Sequence, residues 1–324
     1  PYGAKRASDT GMYSIRFLLF AFFGLTSNFS VLACIRLAHK FSLRYAKKKE
    51  KEMHYMRHFV VNPIPGTSAQ MQVYLHDPSY EYVAHSSRPC VVIFPGGSYR
   101  FTAEREAEPV ALAFLHAGFQ VCILRYSTRP NDELPFLGDT PMREGAVALH
   151  YIRANAASWC IDPEKVSVCG FSAGGHAAGC TGVFWNTPHI PCNDRDSRPD
   201  AMLLCYAVSS SGAFAHRESF FNLTGKLDIC IENDAYSLEK HITPSTPPTF
   251  LWHTFQDSAV PVENALLLAS ALHAVGIPSE LHAYGQGEHG LALCNSETGI
   301  CDTHAATWFS LAVSWLERIG LGPN

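Results

Sequence analysis

From Met71 onward, short apolar runs alternate with longer stretches in which apolar positions recur every three or four residues. The runs "MQVYLH", "PCVVIFPGG", "FQVCILRYS", "KVSVCGF", "DAMLLCYAV", "PTFLWHTF" and "SELHAYG" read as strands, with "MQVYLH" the opening one. Between them "PVALAFLHAG", "MREGAVALHYIRANAASW", a stretch from Ala173, "VENALLLASALHAVG" and "AATWFSLAVSWLERIG" carry helical spacing. Such alternation predicts an α/β fold, a mostly parallel twisted sheet covered by helices on both faces. Residues 208–245 interrupt the rhythm and read as an irregular, polar excursion over the strand ends, where such sheets bind ligands. No second core is visible, so residues 53–324 read as one catalytic domain.

The first 52 residues follow another pattern. Phe17 to Ile35 is free of charge and bracketed by Arg16 and Arg36, and "VLAC" loosely matches a lipoprotein processing site at Cys34. Seven Lys/Arg lie between Arg36 and Lys51 against three before the apolar stretch, a bias that keeps downstream residues in the cytoplasm. The expectation is therefore a cytoplasmic protein whose residues 1–52 are a non-native or upstream-translated extension, with a natural start at Met53 or Met56. A membrane anchor through 17–35 and secretion are the alternatives. A chain starting at Met53 should then be soluble and fully active, and residues 53–324 should need no membrane.

Composition narrows the class. Hydrophobic residues are 47% and charged residues 17%, which suits a folded chain with a sizeable core. A net charge of −4 without a basic stripe beyond residue 52 gives no reason to expect nucleic acid. Of eleven cysteines, several such as Cys122 and Cys205 sit inside strand-like runs, as buried reduced thiols do. "CNSETGICDTH", with Cys294, Cys301 and His304, matches no zinc spacing, so no metal site is expected, and a Cys294–Cys301 pairing is left open.

The candidate chemistry centres on Gly170-Phe171-Ser172-Ala173-Gly174, a G-x-S-x-G placed between a strand and a helix. A sharp turn there strains the serine backbone, and glycines at 170 and 174 leave room for the crossing chains. The hydroxyl is presented at a helix N-terminus, where developing negative charge is favoured. Serine needs a base to become a nucleophile. Of the later histidines, His273 falls in a helix, His282 in a strand and His304 at the start of the last helix. His289 alone lies in a glycine-flanked loop past a strand. Asp257, at a strand end 32 residues earlier, is the candidate to orient it, giving the chain order Ser…Asp…His. Glu288 is adjacent to the histidine and Glu263 lies in the next helix, so both are poorer candidates. "FPGGSY" ends a buried strand on bare backbone at Gly96 and Gly97, and the N–H groups of Gly97 or Ser98 with that of Ala173 are candidates for an oxyanion hole.

With these residues in place the sequence resembles the acetyl esterase/acetylxylan esterase-like branch of the α/β-hydrolases. The resemblance runs from about residue 70 through "PGGSYRFTAEREAEPVALAF", "WCIDPEKVSVCGFSAGGHAAG", "RPDAMLLCYAV", "TPPTFLWHTFQDSAVPVENALLLASAL" and "GEHGLAL". It implies the α/β-hydrolase fold, a Ser172–Asp257–His289 triad, "PGGSY" as oxyanion loop, and removal of acetyl groups from decorated sugars without metal or cofactor. Three positions depart from the family pattern: Ser98 replaces a third glycine, Pro95 stands where related lipases carry histidine, and "YAVSSSG" lacks a proline after the tyrosine.

The expected partner is a small ester, an acetylated oligosaccharide above all; oligomeric state is not legible. No long apolar lid stretch appears, against a long-chain lipase. Tyr99, Phe101, Phe214, Phe220 and Phe221 fall in loops near the strand ends, and Tyr99 and Phe214 are the candidate substrate contacts. Arg105 and Glu106 read as a structural ion pair. A feruloyl esterase or general short-chain carboxylesterase is the alternative activity, and a non-catalytic binding protein on the same fold the alternative class. A prolyl-oligopeptidase-type peptidase would need a propeller domain that 324 residues do not accommodate.

Overall fold

The computed structural model describes residues 56–77, 87–188, 190, 194–299 and 301–323; the expectations for residues 1–52 concern a part of the chain outside this set. Eight strands form one sheet in the order β1-β2-β4-β3-β5-β6-β7-β8. They are β1 (Arg57–Val61), β2 (Gln70–Leu75), β3 (Arg88–Phe94), β4 (Gln120–Arg125), β5 (Ile161–Phe171), β6 (Met202–Cys205), β7 (Thr249–Thr254) and β8 (Ser279–Tyr284). β1 and β2 pair antiparallel at one edge, and β4 through β8 run parallel. The helices are α1 (Glu108–His116), α2 (Thr140–Ala154), α3 (Ala156–Trp159), α4 (Ser172–Val183), α5 (Arg217–Thr224), α6 (Ile231–Asp234), α7 (Glu263–Val275) and α8 (Thr307–Arg318).

The apolar runs have a physical reason. Along β3, Val92 and Phe94 pack with Met142, Leu149 and Ile152 of α2, Ala177 of α4 and Leu272 of α7. The intervening Val91 and Ile93 join Phe114 of α1 and Trp308, Trp315 and Leu316 of α8 on the opposite face. Both sides of the pleat are buried, so strict apolar/polar alternation disappears. β1 is the contrast: "RHFVV" alternates between half-buried and exposed, as an edge strand does.

β3 connects through α1 to β4 on one side, whereas β5 connects through α4 to β6 on the other. The carboxyl ends of β3 and β5, which are neighbours, are therefore the point where the winding reverses, the place where sheets of this kind put their ligand sites.

Several expectations need correcting. β2 is not the opening strand, because β1 precedes it. The excursion 208–245 is not irregular: it holds α5 and α6. "DAMLLCYAV" is strand only to Cys205, since Tyr206 turns into the left-handed region at φ 36. Cys294 and Cys301 are both free thiols, one buried and the other exposed. Among the described residues, no helix is long and apolar enough to cross a membrane.

Candidate active site

Ser172 follows the last residue of β5 and opens α4 with φ 52, a left-handed backbone that a β-carbon strains. The turn is possible only because its neighbours lack side chains. A Cβ on Gly170 would fall 2.5 Å from the Gly174 carbonyl oxygen and 2.7 Å from Gly175 Cα. A Cβ on Gly174 would overlap the carbonyl oxygens of Phe94 and Pro95, where β3 ends. The glycines thus let the elbow lie directly against the loop that leaves β3.

His289 reaches the serine from beyond β8. Its Nε2 is 2.7 Å from Ser172 Oγ and its Nδ1 2.6 Å from Asp257 Oδ2, so the three residues singled out by spacing form one hydrogen-bonded chain. Asp257 is buried, and its Oδ1 accepts the N–H groups of Ala259 (3.0 Å) and Val260 (2.8 Å). Burial works against its charge, but hydrogen bonds from His253 and His289, the His289 charge and the Val260 N–H outweigh it and hold the carboxyl well below the ordinary carboxylate range. His253 is a partner that spacing did not single out. It is fully buried in β7, four residues before the acid, bonds the Val260 carbonyl at 2.8 Å and lies 3.4 Å from Asp257 Oδ2.

The loop after β3 contributes backbone. Gly97 sits at φ 128, and a Cβ there would overlap the Phe101 carbonyl oxygen. Ser98 and Tyr99 follow at φ 55 and 62, two consecutive left-handed residues without glycine. The Gly96 N–H is already given to the Glu106 carboxylate at 2.7 Å. The N–H groups of Gly97, Ser98 and Ala173 meet no acceptor among the described residues. The Ser98 carbonyl is held by Asn222 of α5 at 2.9 Å, and Arg100 bonds Glu218 of the same helix at 2.8 Å, so α5 clasps this loop.

Two expectations about side chains fail here. Tyr99 is not at the surface: it is 1% exposed, packs edge-on against Tyr126, and its hydroxyl donates to His176 Nδ1 at 2.7 Å. Burial lowers the His176 pKa to about 4, and the neutral ring passes its Nε2–H to the Tyr236 carbonyl. Arg105 and Glu106 form no ion pair; Glu106 is buried between Gly96 and the Tyr206 hydroxyl, while Arg105 packs against Gly290. Of the other loop aromatics, Phe220 is buried and Phe221 meets Phe136. Phe101 and Phe214 keep exposed rings, and the Phe101 ring lies beside Gly97.

His216 also went unnoticed in the sequence. It caps α5, with Nδ1 2.8 Å from the Ser219 hydroxyl and accepting the Ser219 N–H. Burial, with the charge of His289 next in size, holds its pKa below the ordinary histidine value. No local sequence signal marks it, because the excursion's short helices are too brief to show periodicity.

A fold whose winding reverses at a strained serine, with a hydrogen-bonded histidine and carboxylate arriving from later strand ends, is the α/β-hydrolase architecture. Comparison with known proteins narrows this. The family model described as BD-FAE matches residues 75–204, and that of the prolyl oligopeptidase family matches residues 209–317. Endo-1,4-beta-xylanase B of Butyrivibrio fibrisolvens is 36% identical over 215 residues, 65% of this chain and 33% of that protein. The acetylxylan esterase of Xylanibacter ruminicola is 25% identical over 268 residues, 81% of this chain and 49% of that protein. The chain thus spans about a third to a half of the length of these curated relatives. Among solved structures, an acetyl ester-xyloside bifunctional hydrolase from Caldicellulosiruptor lactoaceticus is 34% identical with a TM-score of 0.68, covering 81% of this chain and 92% of that one. A sugar hydrolase from Lactococcus lactis is 31% identical with a TM-score of 0.68, covering 82% and 98%. The chain belongs to the acetylxylan esterase-like branch of the α/β-hydrolases.

Proposed function

We propose that this chain is a serine esterase that removes small acyl groups, acetyl above all, from acetylated xylo-oligosaccharides or related sugars. The observation that carries the chemistry is the unbroken hydrogen-bonded chain from Ser172 through His289 to a buried, ionised Asp257. His289 takes the serine proton as Oγ attacks the ester carbonyl, and Asp257 holds the resulting imidazolium. The tetrahedral oxyanion is received by the N–H groups of Ala173 and of Gly97 or Ser98, since the Gly96 N–H is already committed to Glu106. Collapse expels the sugar alcohol, protonated by His289. Water activated by the same ring then hydrolyses the acyl-enzyme. None of these steps calls for a metal or cofactor.

The sugar side of the reading is supported by two relatives whose names join xylan or xyloside to acetyl-ester chemistry, and by a xylanase and a sugar hydrolase. The exposed Phe101 ring beside Gly97 offers a surface for a pyranose or an acyl group. The test is hydrolysis of p-nitrophenyl esters from acetate through octanoate to ferulate, alongside acetylated xylo-oligosaccharide, by wild type and Ser172→Ala. Acetate preference with sugar deacetylation, abolished in the variant, supports the proposal. Preference for ferulate or octanoate keeps the triad and overturns the substrate. A wild type that neither hydrolyses these esters nor labels with a fluorophosphonate returns the chain to the binding-protein class.

A further inference from the structure

A second carboxylate stands beside the triad, and the scheme above does not use it. Glu106 is 1% exposed. Its Oε2 accepts the Gly96 N–H at 2.7 Å and its Oε1 accepts the Tyr206 hydroxyl at 2.8 Å. The Tyr206 oxygen accepts the N–H of Ala292 at 2.9 Å, three residues past His289. The Tyr206 ring meets the His289 imidazole edge-on, with centroids 5.1 Å apart and planes inclined at 73°. On its other side the carboxylate backs the nucleophile: a Cβ on Gly96 would fall 2.7 Å from Glu106 Oε2 and 2.8 Å from Ser172 Cβ. One buried side chain therefore touches the oxyanion loop directly and the histidine loop through a single tyrosine.

The hydrogen positions set its charge. A backbone N–H only donates, so Oε2 is an acceptor. The Tyr206 oxygen already receives the Ala292 N–H, which leaves its one proton for Oε1. Both carboxylate oxygens accept, as an ionised carboxylate does. Among the described residues no ion pair to Glu106 is found; Arg105, packed on Gly290, acts on it only through its field. Burial raises its pKa above the ordinary carboxylate value, although the Tyr206 hydroxyl, the Gly96 N–H, Arg105 and His289 pull the other way. The other titratable groups that feel its charge, Tyr126, Tyr206 and Cys205, are driven above their ordinary values by burial and stay neutral. Around His289 stand Asp257, Ser172, His216, which burial keeps neutral, and Tyr206. Two anions therefore act on His289, Asp257 by contact and Glu106 across the tyrosine, opposed by the Arg105 guanidinium packed on the neighbouring Gly290.

We propose that Glu106 is a positioning residue for the triad, which holds the oxyanion loop through Gly96 and the histidine loop through Tyr206, while its charge favours the imidazolium that His289 becomes during the reaction. The inference rests on the reading of Ser172, Asp257 and His289 as the triad. Because the carboxylate is buried, its field is screened far less than that of a surface charge at the same distance. A role confined to structure would leave the proton affinity of His289 alone, and that difference is measurable.

The experiment compares wild type, Glu106→Gln and Tyr206→Phe in p-nitrophenyl acetate hydrolysis from mildly acid to mildly alkaline pH. Fluorophosphonate labelling and thermal melts report whether each protein is folded. Glu106→Gln should lower kcat roughly 10- to 100-fold with KM changed by less than about threefold, the pattern of a lost transition-state interaction. With the anion gone, His289 holds its proton less firmly, so the acidic limb of kcat/KM should move to lower pH by about half a unit or more. Tyr206→Phe leaves the carboxylate one donor. Glu106 then takes a proton at higher pH, and the acidic limb should steepen from one proton towards two. Acidic limbs that superimpose on wild type in both variants overturn the proposal. If Glu106→Gln does not fold, the slope in Tyr206→Phe decides alone, steeper for and unchanged against. A wild type that fails to label overturns the triad itself; one that labels while both variants keep its limb overturns only the role of Glu106.

Discussion

On the nucleophile side of the site, geometry is carried by backbone. Ser172 is left-handed, Gly170 and Gly174 are pressed against carbonyl groups, and Gly97 is closed over Phe101. On the histidine side it is carried by side-chain hydrogen bonds: Asp257 accepts from Ala259, Val260 and His289, with His253 beside it. The two sides converge within 2.7 Å at the serine hydroxyl, yet they should fail in different ways. A change on the histidine side alters chemistry and spares the fold, because Asp257 and His289 close a chain that packing does not need. A change at the elbow is a collision between main chains, and fold and activity should suffer together.

The largest expected effect is Asp257→Asn. The amide can still accept from Ala259 and Val260 but no longer fixes the His289 tautomer or stabilises its positive form. We expect kcat to fall about 10⁴-fold while the protein stays folded, with a modest drop in melting temperature from the lost carboxylate. A loss under about tenfold would mean that another group orients the histidine. Ionisation of Asp257 is not expected to limit activity in mild acid, since its carboxyl is held below the ordinary range. Folding lowers this pKa, so Asp257 adds stability above the ordinary carboxylate range, and that contribution is lost only as pH falls through its own lower value.

Gly174→Ala is the matching experiment on the other side. Its Cβ would overlap the Phe94 and Pro95 carbonyls, neither of which is a flexible side-chain end. Overpacking of this kind costs about 1–3 kcal/mol, and displacing the end of β3 by even a fraction of an ångström moves the oxyanion donors. Urea denaturation should show reduced stability, and kcat should fall about 100-fold although no reacting group has changed. Wild-type stability in this variant would break the contrast between the two sides.

A smaller effect separates the sides by pH. His176, one helical turn past Ser172, is buried neutral with a pKa lowered to about 4. A base whose pKa is lowered on folding stabilises the native state above its unfolded value and loses that contribution as pH falls towards the folded one. Acidification from neutrality to about pH 5 should therefore cost roughly 2 kcal/mol at this site. The loss should show as a lower urea midpoint, and in His176→Gln the dependence should flatten. An equally steep dependence in the variant would assign acid lability to other groups.

What was legible in the sequence follows the same division. The elbow could be read because its constraint is local: glycines flank a serine between a strand and a helix. Asp257 and His289 could be read because each lies just past a strand end. Glu106 could not, since "AEREAE" looks like an exposed charged turn and its burial depends on Gly96 and Tyr206, distant in sequence. Tyr99 was misjudged for a related reason. A loop aromatic gives no sign of facing inward until its hydroxyl finds His176, 77 residues later. The helices of the excursion, eight and four residues long, are too short to declare a period.

The smallest expected effect concerns Ser98, where the family pattern carries glycine. Its φ of 55 is a conformation in which a β-carbon costs roughly 1–2 kcal/mol. Ser98→Gly removes that strain but frees the unfolded chain by about 0.4–1 kcal/mol, so the net gain in stability should lie between zero and about 1.6 kcal/mol. The backbone N–H is the same in both proteins. If it is the backbone that receives the oxyanion, kcat for acetate esters should change by less than about twofold, against the 10²–10³ that a lost donor costs. A larger fall would show that the serine hydroxyl itself meets the substrate, and would move part of the recognition from the main chain to a side chain on the one side of the site where backbone otherwise does the work.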